Sequence, residues 1–592
     1  MTWEIAFVLT AILCMLGCLI FELERPEVIV FITLVIFLLT DIVSVKEALN
    51  GFSNEGMLTV ALLFIISGAI QKSDLVKISL FKLLNTRDNE KINLLKIVFP
   101  VSALSAFLNN TPIVTTLTPI IRKWCEKNQL SPSKLLIPLS YATILGGTIT
   151  IIGTSTNLVV HGLLLDYNLP GFSFFQLGIV GIPITLLGIL YLYTVGYHLL
   201  PSNKAMTNVE EISKEYIGEV KITEEFEHIN KTIKDAKLRK LAGLYLLGII
   251  RDNEMITPVT SSTIIIANDR LIFTGLISTV AELQSIKGVH LVTNTGPLLE
   301  GLRSGKSNLV EAVVSHHSSL LHKKINETQF RGKFDAAVIA VHRKNEKINS
   351  KIGEIILKPG DTLLMVTGPD FQDRNQFHDF YVVNTVNDEI LPATISRRKG
   401  WFTISIMIIL ISLVAFNLTS MLKAAAFAAV ALFIFRIITP EEAKRYIKFD
   451  VLLIIASSFG VGTALINSGS AEWIANNILI LAQPLGVFFL LIVLYFITNL
   501  FTEIITNNAA AAMMLPIAIE ISSQISVNPI ALAVIVAISA SAGFSTPIGY
   551  QTNMIVYGPG GYSFKDYLKV GIPLNIIVMV TTVIIVYFVW IK

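Results

Sequence analysis

The chain has 592 residues, of which 53% are hydrophobic and only 15% charged, with a formal net charge of +3. A soluble protein carries about 25% charge, so this balance, with a mean hydropathy of +0.66, excludes a disordered chain, a collagen-like repeat and a nucleic-acid-binding protein. Three cysteines cannot build a disulfide framework. Cys14 and Cys18 lie one helical turn apart in an apolar run and read as packing residues.

A bilayer core asks for about 20 mostly apolar residues per helix. Uncharged runs at Ile5–Phe21, Gly56–Gln71, Ile97–Ile121, Leu135–Leu165 and Tyr167–Asn203 predict spans in the first part of the chain. Gly400–Leu422, Val451–Ala471, Trp473–Thr502, Ile504–Ile519, Ile521–Phe564 and Val570–Ile591 predict them in the last part. Val28–Thr40 and Ala424–Phe435 are shorter candidates. Ile5–Phe21 lacks the basic flank and cleavage site of a signal peptide and is read as a span. From Lys204 to Arg398 charges are dense and apolar runs short, which predicts a soluble insertion.

The two membrane halves repeat each other. Asn109-Asn110-Thr111 followed by Pro119 matches Thr506-Asn507-Asn508 followed by Pro516. Gly153-Thr154-Ser155-Thr156-Asn157 matches Gly549-Tyr550-Gln551-Thr552-Asn553. Phe172-Ser173-Phe174 pairs with Tyr562-Ser563-Phe564, Gly181-Ile182-Pro183 with Gly571-Ile572-Pro573, and Glu47-Ala48 with Glu442-Ala443. Each half reads as three spans, a re-entrant hairpin, a broken span and a final span. Five crossings are odd in number, so the second half is expected to be inverted. With the N-terminus outside, inside segments collect Arg25, Lys72, Lys77, Lys82, Arg87, Lys91, Lys96 and Arg122, then Arg436, Lys444, Arg445 and Lys448. That bias puts the insertion in the cytoplasm. The fold expected is a polytopic α-helical membrane protein of two inverted repeats, 1–203 and 399–592, each with a re-entrant hairpin. Its α+β insertion divides at 204–290 and 291–398. Such inverted repeats with broken helices are a secondary-transporter design.

Asn109-Asn110 sits in the middle of an uncharged run and Pro112 follows, predicting a helix-turn-helix hairpin with its tip inside the membrane. Thr506-Asn507-Asn508 does the same in the other half. Amide and hydroxyl oxygens, with freed carbonyls, can ligate a hard cation. Amide donors and half-helix N-termini can hold an anion. The plainer alternative is interhelical hydrogen bonding. The Gly153 and Gly549 segments read as the second wall of each cation site, or as polar kinks. Glu503 beside the second tip is either a coupling carboxylate or a local partner. His161 reads as a core histidine. No nucleophile–base constellation or metal cluster stands out, so no enzyme is expected.

At these motifs the chain resembles the divalent anion:sodium symporters, which carry dicarboxylates, citrate or sulfate. The resemblance implies an elevator-type transporter in the cell membrane, working as a homodimer with sodium ions as cotransported partners. It implies a first sodium site from Ser105, Asn109, Asn110 and the loop at Gly153. A second would come from Thr502, Thr506, Asn507 and the loop at Gly549. The small anionic substrate would meet Asn110, Thr111, Thr154, Asn507 and Asn508. Asn109 and Asn508 depart from the Ser and Thr of the family pattern. A cation/proton antiporter of the same superfamily and a ligand-gated channel remain as alternatives.

The insertion has its own repeat. Ile233, Arg239, Arg251, Asn253, Glu254 and Asp269 match Ile325, Arg331, Arg343, Asn345, Glu346 and Asp361 at constant spacing. Each copy resembles a TrkA-C (RCK C-terminal) domain, which implies a regulatory ligand such as a nucleotide second messenger. A passive dimerisation spacer is the alternative.

Overall fold

The computed structural model describes residues 2–72 (except 22), 90–202, 397–482 (except 417) and 486–592, and, between 217 and 385, ten strands with the turns beside them. Lys77, Lys82 and Arg87 of the inside charge cluster lie outside the described residues, as do Arg239, Asn253 and Asn345 of the insertion repeat. The chain forms two compact units, Met1–Lys204 with Ala393–Lys592, and Ala205–Pro392.

The first unit is helical. Among the described residues five helices are long and apolar enough to cross a membrane: Trp3–Ile20, Val45–Ile70, Gly178–Leu199, Phe449–Asn467 and Phe564–Ile591. Shorter apolar helices accompany them, including Pro26–Leu39, Met421–Ile434, Val487–Thr502 and Pro529–Ser541. The run Trp473–Thr502 is divided into Ser470–Ala482 and Val487–Thr502. Trp3–Ile20 corrects the cysteine reading. It buries Val8, Ile12, Met15 and Leu19 on one face, a three-and-four spacing. That leaves Cys14 exposed and Cys18 half-buried on the other.

Local chemistry repeats between the halves. Ser44 caps the helix Val45–Ser53 in a capping box with Glu47, and Thr439 caps Pro440–Tyr446 with Glu442. Asn467 Nδ2 donates to Glu47 and to the Ile42 carbonyl, while Lys72 Nζ donates to Glu442 and to the Ile437 carbonyl. Burial pushes the Glu442 carboxyl up, but the bonds from Lys72 and Thr439 outweigh it and hold it below the usual range.

The second unit holds two antiparallel sheets. One is built from β1 (Ile217–Ile222), β2 (Leu244–Arg251), β3 (Glu254–Ile256), β4 (Arg270–Gly275) and β5 (Val289–Leu291), in the order β3-β2-β4-β1-β5. The other uses β6 (Asn308–Val314), β7 (Ala336–Arg343), β8 (Glu346–Lys347), β9 (Thr362–Thr367) and β10 (Phe380–Thr385), in the order β10-β6-β9-β7-β8. Read from the other end, the second order is the first. The register shift between Leu246 and Gly248 in β2 recurs between Val338 and Ala340 in β7. Each sheet packs its own core, around Phe226, Ile249 and Phe273 in one and Phe334, Leu357 and Phe380 in the other.

The matched Arg and Asp residues form bidentate pairs. Arg251 Nε and Nη2 each lie 2.8 Å from the buried Asp269 carboxylate, and Arg343 Nε and Nη2 lie 2.7 Å from Asp361. Among the described residues, the second copy adds a further network. Asp379 accepts from Ser318 Oγ, Ser319 N, Ser319 Oγ and Lys333 Nζ at 2.7–3.0 Å. Burial pushes the Asp379 carboxyl up, and the bonds from Lys333 and Ser319 more than reverse it, leaving it lowered. A carboxylate lowered by folding adds stability above its unfolded pKa of about 3.9, and that stability is lost as pH falls through the folded value. Amide exchange in β6 and β10 of the full chain should therefore rise in acid relative to β1 and β4. Asp379→Asn should remove that difference, and exchange that rises equally in both sheets of the native protein counts against this linkage.

Candidate functional site

Two hairpins and two broken helices meet in the helical unit. The first hairpin is the helix Glu90–Ser105, the turn 106–109 and the helix Asn110–Lys127. The second is Val487–Thr502, the turn 503–506 and Asn507–Gln524. Pro112 does not break a helix. It lies in the first turn of Asn110–Lys127, where the missing N–H has no intrahelical partner to lose. The first broken helix runs from Leu136–Gly147 through 148–154 to Ser155–Asp166. The second runs from Pro529–Ser541 through 542–550 to Gln551–Tyr557.

The turns and loops bond across the halves in matched pairs. Thr111 Oγ1 donates to Gln551 Oε1 at 3.2 Å, and Ser155 Oγ donates to Asn508 Oδ1 at 3.1 Å. Thr156 Oγ1 adds a bond to the same oxygen at 3.3 Å. Asn110 Nδ2 donates to the Tyr550 hydroxyl at 2.7 Å, and that hydroxyl lies 3.1 Å from Thr154 Oγ1. These contacts bring four helix N-termini together, at Asn110, Ser155, Asn507 and Gln551. The residues before three of them, Thr154, Thr506 and Tyr550, make no side-chain cap bond. Uncapped N-termini leave N–H groups and the positive end of the helix dipole to a ligand. Thr506 Oγ1 and Asn507 Nδ2 are buried and have no protein partner, which in a native structure calls for a ligand, water or ion.

Each hairpin also carries an oxygen cluster. Ser105 Oγ lies 2.5 Å from Asn110 Oδ1 and 2.8 Å from the Thr143 carbonyl. One hydroxyl proton cannot serve both oxygens, so the cluster has lone pairs to spare, as a hard cation requires. Thr502 Oγ1 lies 2.6 Å from the Ala540 carbonyl in the equivalent place. Ser105 and Thr502 are fully buried. The loops are held alike. Asn157 Nδ2 donates to the Gly147 and Thr150 carbonyls, and Asn553 Nδ2 to those of Gly543 and Thr546. A side chain at Gly153 would overlap the Gly147 carbonyl, and one at Gly543 the Gly549 carbonyl.

The halves differ at Glu503. Its oxygens accept from Ser545 N at 2.7 Å, Thr546 Oγ1 at 2.8 Å and Asn575 Nδ2 at 3.2 Å. The carboxylate thus braces the loop that ends at Gly549, whereas Ala106 holds the matching position of the first turn and offers only its carbonyl, to Thr150. Asn109 lines a small pocket with Phe64, Ser67, Phe107, Ile152 and Ser155. His161 is half-buried, packs beside Gly171, and its Nδ1 has no partner. Residue-by-residue reading of the motifs misses the side chains of Tyr550, Gln551, Ser155 and Thr156. The repeat alignment that sets Tyr550 opposite Thr154 is the signal that could have found them.

The chain matches the citrate transporter family over residues 16–537. It is 32% identical to a Chlamydomonas reinhardtii protein named for the response to sulfur deprivation, over 94% of this chain and 97% of that one. It is 30% identical to an uncharacterized transporter of Synechocystis, over 99% and 97%. It is 25% identical to sodium/sulfate cotransporter 1 of Chlamydomonas reinhardtii, over 91% and 84%. With its apolar helices and its meeting of hairpins and broken helices, the chain is a multi-pass membrane protein that belongs to the citrate transporter family, an anion transporter and not an enzyme.

Proposed function

We propose that the protein is a sodium-coupled symporter of a small divalent anion, with sulfate preferred. The observation that carries this reading is the meeting of four helix N-termini between two oxygen clusters. The N-termini suit an anion, and the clusters suit two sodium ions that offset its charge. The name of the sodium/sulfate cotransporter relative favours sulfate, and sulfate's four acceptor oxygens suit a site rich in amide donors. Antiport through Glu503 would need that carboxylate open to the pathway, whereas it is engaged by three donors.

In this reading the two halves are inverted repeats that carry the anion by an elevator motion within a homodimer. The two-copy insertion is a cytoplasmic regulatory module of TrkA-C type. A ligand there shifts the transport equilibrium only by binding one state better than the other.

Uptake of labelled sulfate and succinate into proteoliposomes, with and without a sodium gradient, tests the proposal. Sodium-dependent sulfate uptake with a sigmoidal sodium curve is expected. Cation flux without an anion, or a large passive conductance, overturns it.

A further inference from the structure

The apolar outer surface of two packed helices ends in a cluster of bases and aromatic rings. The exposed residues of Glu90–Ser105 are Ile92, Phe99 and Ala103, and those of Gly178–Tyr191 are all Ile or Leu. The first polar residues exposed beyond them, at and just past the π-helical turn Leu192–Gly196, are Thr194 and His198. His198 Nε2 lies 3.2 Å from Lys91 Nζ. Lys91 Nζ also sits 5.9 Å from the centre of the Tyr193 ring and 5.1 Å from that of Tyr197. Lys134 Nζ sits 4.8 Å from the same Tyr197 ring and donates to the Tyr197 and Leu200 carbonyls. Glu90 brings a carboxylate to the cluster, and one of its oxygens accepts from the Tyr197 hydroxyl at 2.5 Å. Rings beneath the Lys91 ammonium hold it in place by cation–π attraction. A lysine and an imidazole this close share a hydrogen bond only while the ring is neutral. An anionic oxygen set between them would accept from both, in charge-assisted bonds.

We propose that Lys91 and His198 bind the phosphate of an anionic phospholipid whose acyl chains lie along the apolar surface that includes Phe99 and Leu190. Basic pockets between membrane helices on the cytoplasmic side take anionic headgroups, and the charge bias of the sequence puts this end of both helices on that side. Tyr193 and Tyr197 stand where aromatic side chains anchor a protein at the headgroup level. The adjoining apolar surface is what favours a lipid over a soluble phosphate. The site lies at the opposite end of the helix Glu90–Ser105 from Ser105. It is therefore separate from the meeting of the hairpins and independent of which anion is carried.

The test uses the full chain in detergent, in potassium buffer without sodium so that the transport site stays unloaded. Melting is followed while dioleoyl phosphatidylglycerol or dioleoyl phosphatidylcholine is added. Phosphatidylglycerol should raise the melting temperature at lower concentration than phosphatidylcholine does. With Lys91→Gln and His198→Gln combined, the phosphatidylglycerol concentration for half the effect should rise about tenfold or more, the loss expected when hydrogen bonds to a charged group are removed. His198→Gln alone changes an exposed position, keeps the test open if the double variant does not fold, and should shift the titration the same way by less. Lys565→Gln removes a charge from another exposed position expected on the same face and should leave the titration as it is. Monodisperse elution checks that the variants fold. Equal effects of the two lipids on the native protein, or a folded double variant that titrates like the native protein, overturns the proposal. Stabilisation by glycerol phosphate at the concentration where the lipid acts, lost in the double variant, also overturns it, because a soluble phosphate then suffices.

Discussion

Asn507→Ala should lower sodium-driven anion uptake at least a hundredfold while leaving the protein folded. Asn507 begins the helix Asn507–Gln524, and its Nδ2 is buried with no bond inside the protein. Deleting that donor therefore costs the fold little. A hydrogen bond to a charged ligand contributes about 1.5–3 kcal/mol, which is a tenfold to hundredfold loss in affinity. The cation oxygen expected from the same amide goes with it. Asn110→Ala should abolish uptake as well, but with a measurable fall in thermal stability. Its amide bonds Ser105 on one side and Tyr550 on the other, so removal leaves two buried hydroxyls short of a partner. Uptake and melting temperature, measured on both variants, separate the two cases. Near-native uptake in either removes that residue from the site. Equal destabilisation of both contradicts the difference in their bonding.

The hairpins are legible in the sequence because amides buried in a long uncharged run need polar partners or a ligand, and because the pattern occurs twice. Asn109-Asn110 and Thr506-Asn507 each stand at the turn between two helices, as their spacing suggests. The Arg–Asp pairs of the insertion show as matched letters, Arg251 with Asp269 and Arg343 with Asp361, and the structure joins each pair by bonds. Other features depend on which face a side chain takes, and the order of apolar runs does not say that. Cys14 lies in an apolar segment yet points away from the face that Val8, Ile12 and Met15 bury. Tyr550 enters the sequence reading only as part of the Gly549 segment, the second wall of a cation site or a polar kink. Its role comes from a hydroxyl that crosses to the other half and bonds Asn110, a contact between residues far apart in the chain. Glu503 reads in the sequence as either a coupling carboxylate or a local partner. Its three donors come from residues 545, 546 and 575, which no local pattern ties to it.

Gly549→Val should raise the sodium requirement about tenfold or more with little change in anion preference, and Gly153→Val should be more severe. Both positions lie in loops where a side chain would overlap a neighbour, but the neighbours differ. At Gly549 the new Cβ meets a Glu503 carboxylate oxygen. Displacing that carboxylate disturbs its bonds to Ser545, Thr546 and Asn575, and with them the loop beside the second oxygen cluster. At Gly153 the Cβ meets the Gly147 carbonyl, which is backbone and is itself held by Asn157. A side-chain obstacle can be removed by a second mutation; a backbone obstacle cannot. Glu503→Ala should therefore recover part of the sodium affinity lost in Gly549→Val and none of that lost in Gly153→Val. The cycle is read from sodium titrations of uptake at saturating anion, since residues in contact are expected to couple and distant ones to add. Additive losses of Glu503→Ala and Gly549→Val would show that the carboxylate and the loop act separately. An anion KM that shifts as much as the sodium requirement would assign the Gly549 loop to the anion rather than to the cation.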